Sequence, residues 1–172
     1  HADNVAASLF GGFILVKTHQ PPDVITLPTP EDLHCTIVHP HIEIKTKNSR
    51  MILKKEILLE KAVTQWANVG ALVAGLYKND YTLIARSLHD EIIEPVRSVL
   101  IPGFDEMKSA ALQGGALGCS ISGSGPSVFA LSKSRKEAQL IGEKMSDSLK
   151  SLGLDFDIYI SKINTEGAKV TG

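Results

Sequence analysis

The sequence predicts an α+β fold, an antiparallel sheet with helices packed on one face, and three observations carry that expectation. Apolar runs rich in β-branched residues recur at residues 13–16, 24–27, 33–38, 116–121, 128–131 and 156–160. Between them, Ile57, Val63, Trp66, Gly70, Val73 and Leu76 keep a period near that of a helix, as do Ala138, Ile141, Met145 and Leu149. The C-terminal order of helices, strand, strand, helix, strand suits helices laid on one side of an antiparallel sheet.

The first elements follow from local chemistry. Asp3 and Asn4 can cap a short helix over residues 5–9, which Gly11-Gly12 ends before the run Phe13-Ile14-Leu15-Val16. Residues 24–27, bracketed by prolines, suit a partner strand. Residues 33–38 read as a third, ending at His39-Pro40, and together these strands are expected to give the first half its sheet. Thr46 opens a basic helical segment holding Met51-Ile52-Leu53, and the long helix that follows through Leu76 is expected to be largely buried.

Further along, residues 81–88 form another helical stretch, and Pro95 fits a new first turn or a break. Pro102-Gly103 starts a helix over residues 104–112, closed by Gly114-Gly115. Residues 116–121 and 128–131 make a hairpin-like pair with its loop at a sheet end. Ser134 caps the last helix, Gly153 stops it, and the tail, residues 164–172, is an edge strand or frayed.

Composition narrows the functional classes. The 172 residues are 43% hydrophobic, enough for the core of one domain or somewhat more. A formal net charge of −1 leaves no uncompensated Lys/Arg cluster for nucleic acid, so the expected ligand is small. Cys35 and Cys119 lie far apart without metal-ligand spacing and read as buried apolar residues of a reducing compartment, with the cytoplasm as default. No run approaches the ~20 apolar residues of a membrane span, and the start lacks the pattern of a signal peptide. The chain opens on His1-Ala2-Asp3-Asn4 without an initiator Met, which reads as a fragment or a chain whose natural beginning is missing.

The stretch Ile121-Ser122-Gly123-Ser124-Gly125-Pro126-Ser127 is the strongest functional signal. Glycines let the backbone approach an anion closely, and neighbouring N–H groups in a turn form a concave anion site. A plain Gly/Ser turn between two strands is the alternative. His1, Asp3 and Asn4 put an imidazole, a carboxylate and an amide within one turn, suited to a small molecule with ammonium and hydroxyl groups or simply to an N-cap. Arg50 and Arg97 each offer the planar fork that grips a carboxylate in two places, or are solvated surface arginines.

Taken in order, these landmarks resemble a known family. His1-Ala2-Asp3-Asn4-Val5-Ala6 leads into Gly11-Gly12-Phe13, then come Arg50, Glu94-Pro95-Val96-Arg97 with Ile101-Pro102-Gly103, and Gly118-Cys119-Ser120 running into the Ser122–Ser127 loop. The chain is similar over nearly its whole length to the C-terminal part of homoserine kinases in the GHMP small-molecule kinase superfamily. The last landmark is shared across that superfamily, and the first and the two arginines point to homoserine kinases. Ala7 stands where many relatives carry proline.

The resemblance implies a ferredoxin-like C-terminal domain at residues 31–172 and, at residues 1–30, the end of an ATP-binding domain that is mostly missing. It implies transfer of the ATP γ-phosphoryl group to the L-homoserine hydroxyl in threonine biosynthesis. His1, Asp3, Asn4 and Gly123 would surround the substrate, Arg50 and Arg97 would clamp its carboxylate, and Ser122, Gly123, Ser124 and Gly125 would support the phosphate site. ATP and Mg2+ would find their main ligands and the catalytic residues upstream of this chain, so the fragment is expected to be inactive alone, with no metal site of its own. L-homoserine is the expected partner, without nucleic acid or membrane, and a homodimer is allowed. Another GHMP small-molecule kinase and a non-catalytic α+β binding or dimerisation module remain the alternatives.

Overall fold

The computed structural model describes residues 2–170, except for the side chains of residues 2, 3 and 46–48. Its elements in chain order are α1 (Ala2–Phe10), β1 (Phe13–His19), β2 (Pro22–Leu27), β3 (His34–Pro40), α2 (Thr46–Met51), α3 (Leu59–Lys78) and α4 (Tyr81–Ser87). Next are α5 (Glu94–Arg97), a 3-10 turn (Ser98–Leu100), α6 (Phe104–Gln113), β4 (Gly118–Ile121), β5 (Val128–Ser132), α7 (Arg135–Ser151) and β6 (Phe156–Lys162).

The strands form two antiparallel sheets, a β1-β2 ribbon and a four-stranded sheet of order β4-β5-β3-β6. The expectation that the first three strands share one sheet is corrected: β3 leaves β1-β2 and becomes a central strand, with Val38 paired to Val128 on one side and Ile158 on the other. Pro28 and Pro30, which lack an N–H, interrupt the ladder between β2 and β3. Only a central position buries Thr36 and Val38 completely, and the Thr36 hydroxyl donates to the Ala138 carbonyl of α7 at 2.8 Å.

Side chains alternate across the four-stranded sheet, so each face meets its own cluster. On one face, α6 and α7 bring Phe104, Met107, Ile141, Met145 and Leu149 against Val38, Val128 and Ala130. Near the β1-β2 ribbon, Leu76 of α3 and Ile84 of α4 pack with Leu27, Leu33, Leu117 and Leu131. Gly142 of α7 lets the helix sit on the sheet, since a Cβ there would come within 3.4 Å of both Thr36 and Ile160. Ser134 caps α7 as its sequence predicts, accepting from the Glu137 amide at 3.2 Å.

Three further expectations change. The long helix α3 is not largely buried: Leu59 is 72% exposed, Val63 51% and Trp66 65%, and only Ala62, Gly75 and Leu76 are buried along it. Periodicity identifies a face without saying what covers it. Asp3 and Asn4 do not cap α1, because the helix already starts at Ala2. Residues 164–168 add no edge strand but are tied to the first corner: the Asn164 carbonyl accepts from the Gly12 amide at 2.6 Å, and the Ala168 amide donates to the Leu9 carbonyl, while the end of the expected tail, residues 171–172, lies outside the described residues. This close approach requires Gly11 at φ +69, where a Cβ would meet the main chain of residues 164–167.

Cys119 is 1% exposed, and burial pushes its thiol up to about 12. Cys35 is partly buried, and burial pushes its thiol up to about 11. Both behave as the inert apolar cysteines that the sequence suggests.

Candidate anion and carboxylate site

The β4-β5 hairpin holds the glycine and serine loop at one end of the four-stranded sheet. Two main-chain bonds close it: the Ser122 amide donates to Ser127 at 2.8 Å, and the Gly125 amide to Ser122 at 3.0 Å. Gly123 at φ +61 and Gly125 at φ +80 adopt the left-handed conformation that favours glycine, and a Cβ at 125 would stand 2.9 Å from Ile101. Among the described residues, the Gly123 and Ser124 amides have no acceptor, and the Ser122 and Ser124 hydroxyls make no hydrogen bond. Two adjacent open N–H groups beside two open hydroxyls can receive an anion.

Arg97 is brought to this loop by α5. The Asp90 carboxylate accepts from the amides of Ile92 and Ile93, both at 2.8 Å, and from Glu94 at 3.2 Å, which fixes the entry to the short helix. Pro95 sits in the first turn, as its lack of an N–H permits. At the other end, Arg97 Nη1 donates to the Gly123 carbonyl at 2.9 Å and Nε to the Ser49 carbonyl at 3.3 Å. Nη2 has no acceptor among the described residues, so the guanidinium is anchored through Nε and Nη1 with the Nη2 donors left for an anion.

The other expected residues fall as follows. Ser49 is fully buried in α2, and Arg50, the next residue, is exposed with an interaction of its own. Asn4 Oδ1 lies 3.9 Å from where a Cβ would stand on Gly123. Asn4, Gly123 and Arg97 are therefore gathered at one place, with the segment carrying Arg50 joined to it through Ser49. His1 lies outside the described residues, as does the side chain of Asp3.

Two groups went unread in the sequence. Glu94 is 8% exposed and pairs through Oε1 with Lys108 of α6, while its buried Oε2 has no hydrogen-bond partner among the described residues. The pair ties α5, and with it Arg97, to the α6 layer; a lone Glu and a Lys fourteen residues later give no sequence signal. Beneath the loop, His39 Nδ1 lies 2.8 Å from Ser127 Oγ, and His41 Nε2 lies 3.0 Å from Asp157 Oδ2. His39-Pro40-His41 is visible in the sequence, but its partners come from the glycine and serine loop and from β6.

Among the described residues, no group of three or more His, Cys, Asp or Glu could hold a metal ion. A cleft of about 770 Å³ lies beside α5, its lining including apolar Leu53, Leu58 and Ile92 and charged Lys54, Lys61 and Glu91, and it includes none of the loop residues. No helix of the described residues is long and apolar enough to cross a membrane.

Comparison with known proteins places the chain beside one group of relatives. Residues 72–151 match the family model described as GHMP kinases C terminal. A homoserine kinase of Chlorobium phaeobacteroides is 51% identical over 172 residues, 99% of this chain and 54% of the relative. The crystal structure of homoserine kinase from Cytophaga hutchinsonii superposes with a TM-score of 0.95 at 57% identity, covering 97% of this chain and 53% of that one. The mevalonate kinase of L. major shares the fold at a TM-score of 0.69 and 17% identity. The chain spans about half the length of the curated relatives it matches.

Proposed function

We propose that this chain, whose residues 72–151 carry the GHMP kinases C-terminal domain, supplies the substrate-carboxylate and phosphate-facing wall of a homoserine kinase. The intact enzyme would transfer the ATP γ-phosphoryl group to the hydroxyl of L-homoserine, a step toward threonine, in the cytoplasm. The observation that carries this reading is the anchored Arg97 fork, open at Nη2, against a loop with two free amides and two free hydroxyls.

In this reading Arg97, with Arg50 from the adjoining segment, grips the α-carboxylate of homoserine. Asn4, with His1 and Asp3, faces its amino and hydroxyl end, and Ser122, Gly123, Ser124 and Gly125 steady the phosphoryl group. Phosphoryl transfer depends mainly on positioning and charge stabilisation, so a rigid clamp beside anion donors is the contribution that such a wall can make. ATP supplies the phosphoryl group. The loop fits the phosphate end of a nucleotide, whereas the described residues offer no Mg2+ ligand set. We assign that set, the glycine-rich ATP loop and the catalytic residues to the half of the relatives that this chain does not cover, and place the change of domain near residue 30, where the chain passes from one sheet to the other.

A coupled ADP-release assay tests the reading. A protein of the relatives' full length carrying this chain should turn over homoserine and the chain alone should not. Equal turnover by the two, or turnover of mevalonate in preference to homoserine, would overturn it.

A further inference from the structure

The glycine and serine loop is held at its foot, Ser127, from two sides. The β4-β5 ladder ends with Ile121 opposite Val128, and just beyond it the Ser122 amide donates to the Ser127 carbonyl at 2.8 Å. The β3-β5 ladder ends with Val38 opposite Val128, and beyond it the strands are joined through side chains, with His39 Nδ1 at 2.8 Å from Ser127 Oγ. A hydroxyl both donates and accepts, so this bond forms with either tautomer of the ring. His39 is half-buried, and Asp157, the carboxylate opposite it in the β3-β6 ladder, is engaged by His41 Nε2 at 3.0 Å. At the far side of the loop, Arg97 Nη1 holds the Gly123 carbonyl at 2.9 Å. Between the two anchors lie the Gly123 and Ser124 amides, open among the described residues.

We propose that His39 is a positioning residue for phosphoryl-group binding, acting through Ser127 to fix the foot of the loop so that the Gly123 and Ser124 amides stay aimed at one point. This rests on the kinase reading for the identity of the anion, whereas the anchoring does not. Donors aimed in advance contribute most, because nothing has to reorganise when the anion arrives. A loosened foot would swing both amides together, while Arg97 on the opposite side would keep its own anchors. His39 should therefore matter for the phosphoryl donor and little for the carboxylate of the acceptor.

Two readouts test this in a protein of the relatives' full length that carries this chain. The first is hydrogen exchange at the Ser122 and Gly125 amides, which close the loop. His39→Leu should speed both about tenfold or more, while the amides of residues 129–131, inside the sheet, keep their rates. The second is steady-state kinetics with ATP and homoserine. His39→Leu should lower kcat/KM for ATP about fivefold or more and change the KM for homoserine by less than about twofold, since only the phosphate donors are displaced. Ser127→Ala should reproduce both effects and add little to His39→Leu, because the same bond is lost either way. His39→Asn, whose amide branches from the carbon that carries Nδ1, should restore both.

Unchanged loop exchange, faster exchange with unchanged ATP kinetics, additive losses, or no rescue by Asn would overturn the proposal. If the unaltered protein does not phosphorylate homoserine, the kinase reading fails by itself, and titration of the Gly123 and Ser124 amide signals with inorganic phosphate decides the role of His39. His39→Leu should then weaken phosphate binding about fivefold or more. Equal affinity, or no binding by either protein, would overturn the role.

Discussion

Arg97 Nη1 donates to the carbonyl of Gly123 at 2.9 Å, joining a four-residue helix to a hairpin loop 26 residues away in sequence. The bond does two things: it orients the guanidinium, and it holds the loop in the shape that leaves the Gly123 and Ser124 amides open.

Replacing Arg97 should therefore affect substrate and loop together. In a full-length protein carrying this chain, Arg97→Ala is expected to lower kcat/KM for homoserine by about 10- to 100-fold, as loss of a charged contact worth ~1.5–3 kcal/mol requires. Arg97→Lys should rescue little, because an ammonium cannot hold Gly123, Ser49 and a carboxylate at once. Steady-state kinetics measure both, and an unchanged kcat/KM would point to a substrate without an α-carboxylate.

The two loop glycines should differ in cost. Both sit at positive φ, where an alanine is strained by ~1–2 kcal/mol. At Gly125 the added Cβ also meets Ile101 at 2.9 Å, whereas at Gly123 the nearest atom is Asn4 Oδ1 at 3.9 Å. Urea melts should show Gly125→Ala as the more destabilising of the two. Equal losses would mean that Ile101 yields freely.

Lys108→Met should be severe. It leaves the Glu94 carboxylate buried and uncompensated, a change that typically costs ~3–5 kcal/mol. Glu94→Leu combined with Lys108→Met should recover most of that loss, since the pair sits against Phe104 in an apolar layer. A double-mutant cycle by chemical denaturation reads the coupling, and additive losses would show that the pair contributes nothing as a pair.

Stability should fall at alkaline pH. Unfolded thiols titrate near ~8.5, but burial raises Cys35 to about 11 and Cys119 to about 12. The folded state holds these protons more tightly, so the stabilisation is full below about pH 8.5 and is lost as pH rises through the folded values. The slope is ~1.4 kcal/mol per pH unit for each thiol. Tyr81, raised by burial and then by the charge of Asp32, acts in the same direction. Urea midpoints between pH 7 and 10.5 should decline, and Cys119→Ala should flatten the decline; a level profile would contradict the buried thiols.

Local chemistry made much of the fold legible. The Ser134 cap, the Gly11-Gly12 corner and Pro95 in a first turn each act within a few residues, so they can be read without knowing the rest of the chain. The loop of residues 121–127 was legible for the same reason, because positive φ at Gly123 and Gly125 is a property of the residue type as much as of its surroundings. The burial of α3 was not legible. Its apolar positions repeat with helical spacing whether they face a core or solvent, and here Leu76 meets the core while Trp66 does not.

The sequence by itself determined most of the segments that become helix, strand and turn, and singled out the residues to which anion and carboxylate binding is assigned in the proposed function. Only the tertiary structure decided that β3 leaves its neighbours for the four-stranded sheet, that Glu94 finds Lys108, and that Arg97 reaches Gly123 and Ser49. The physical reason is distance along the chain. A cap or a left-handed glycine is satisfied locally, whereas a buried carboxylate, a central strand and a two-point arginine anchor need partners that only the closed fold brings within hydrogen-bonding reach.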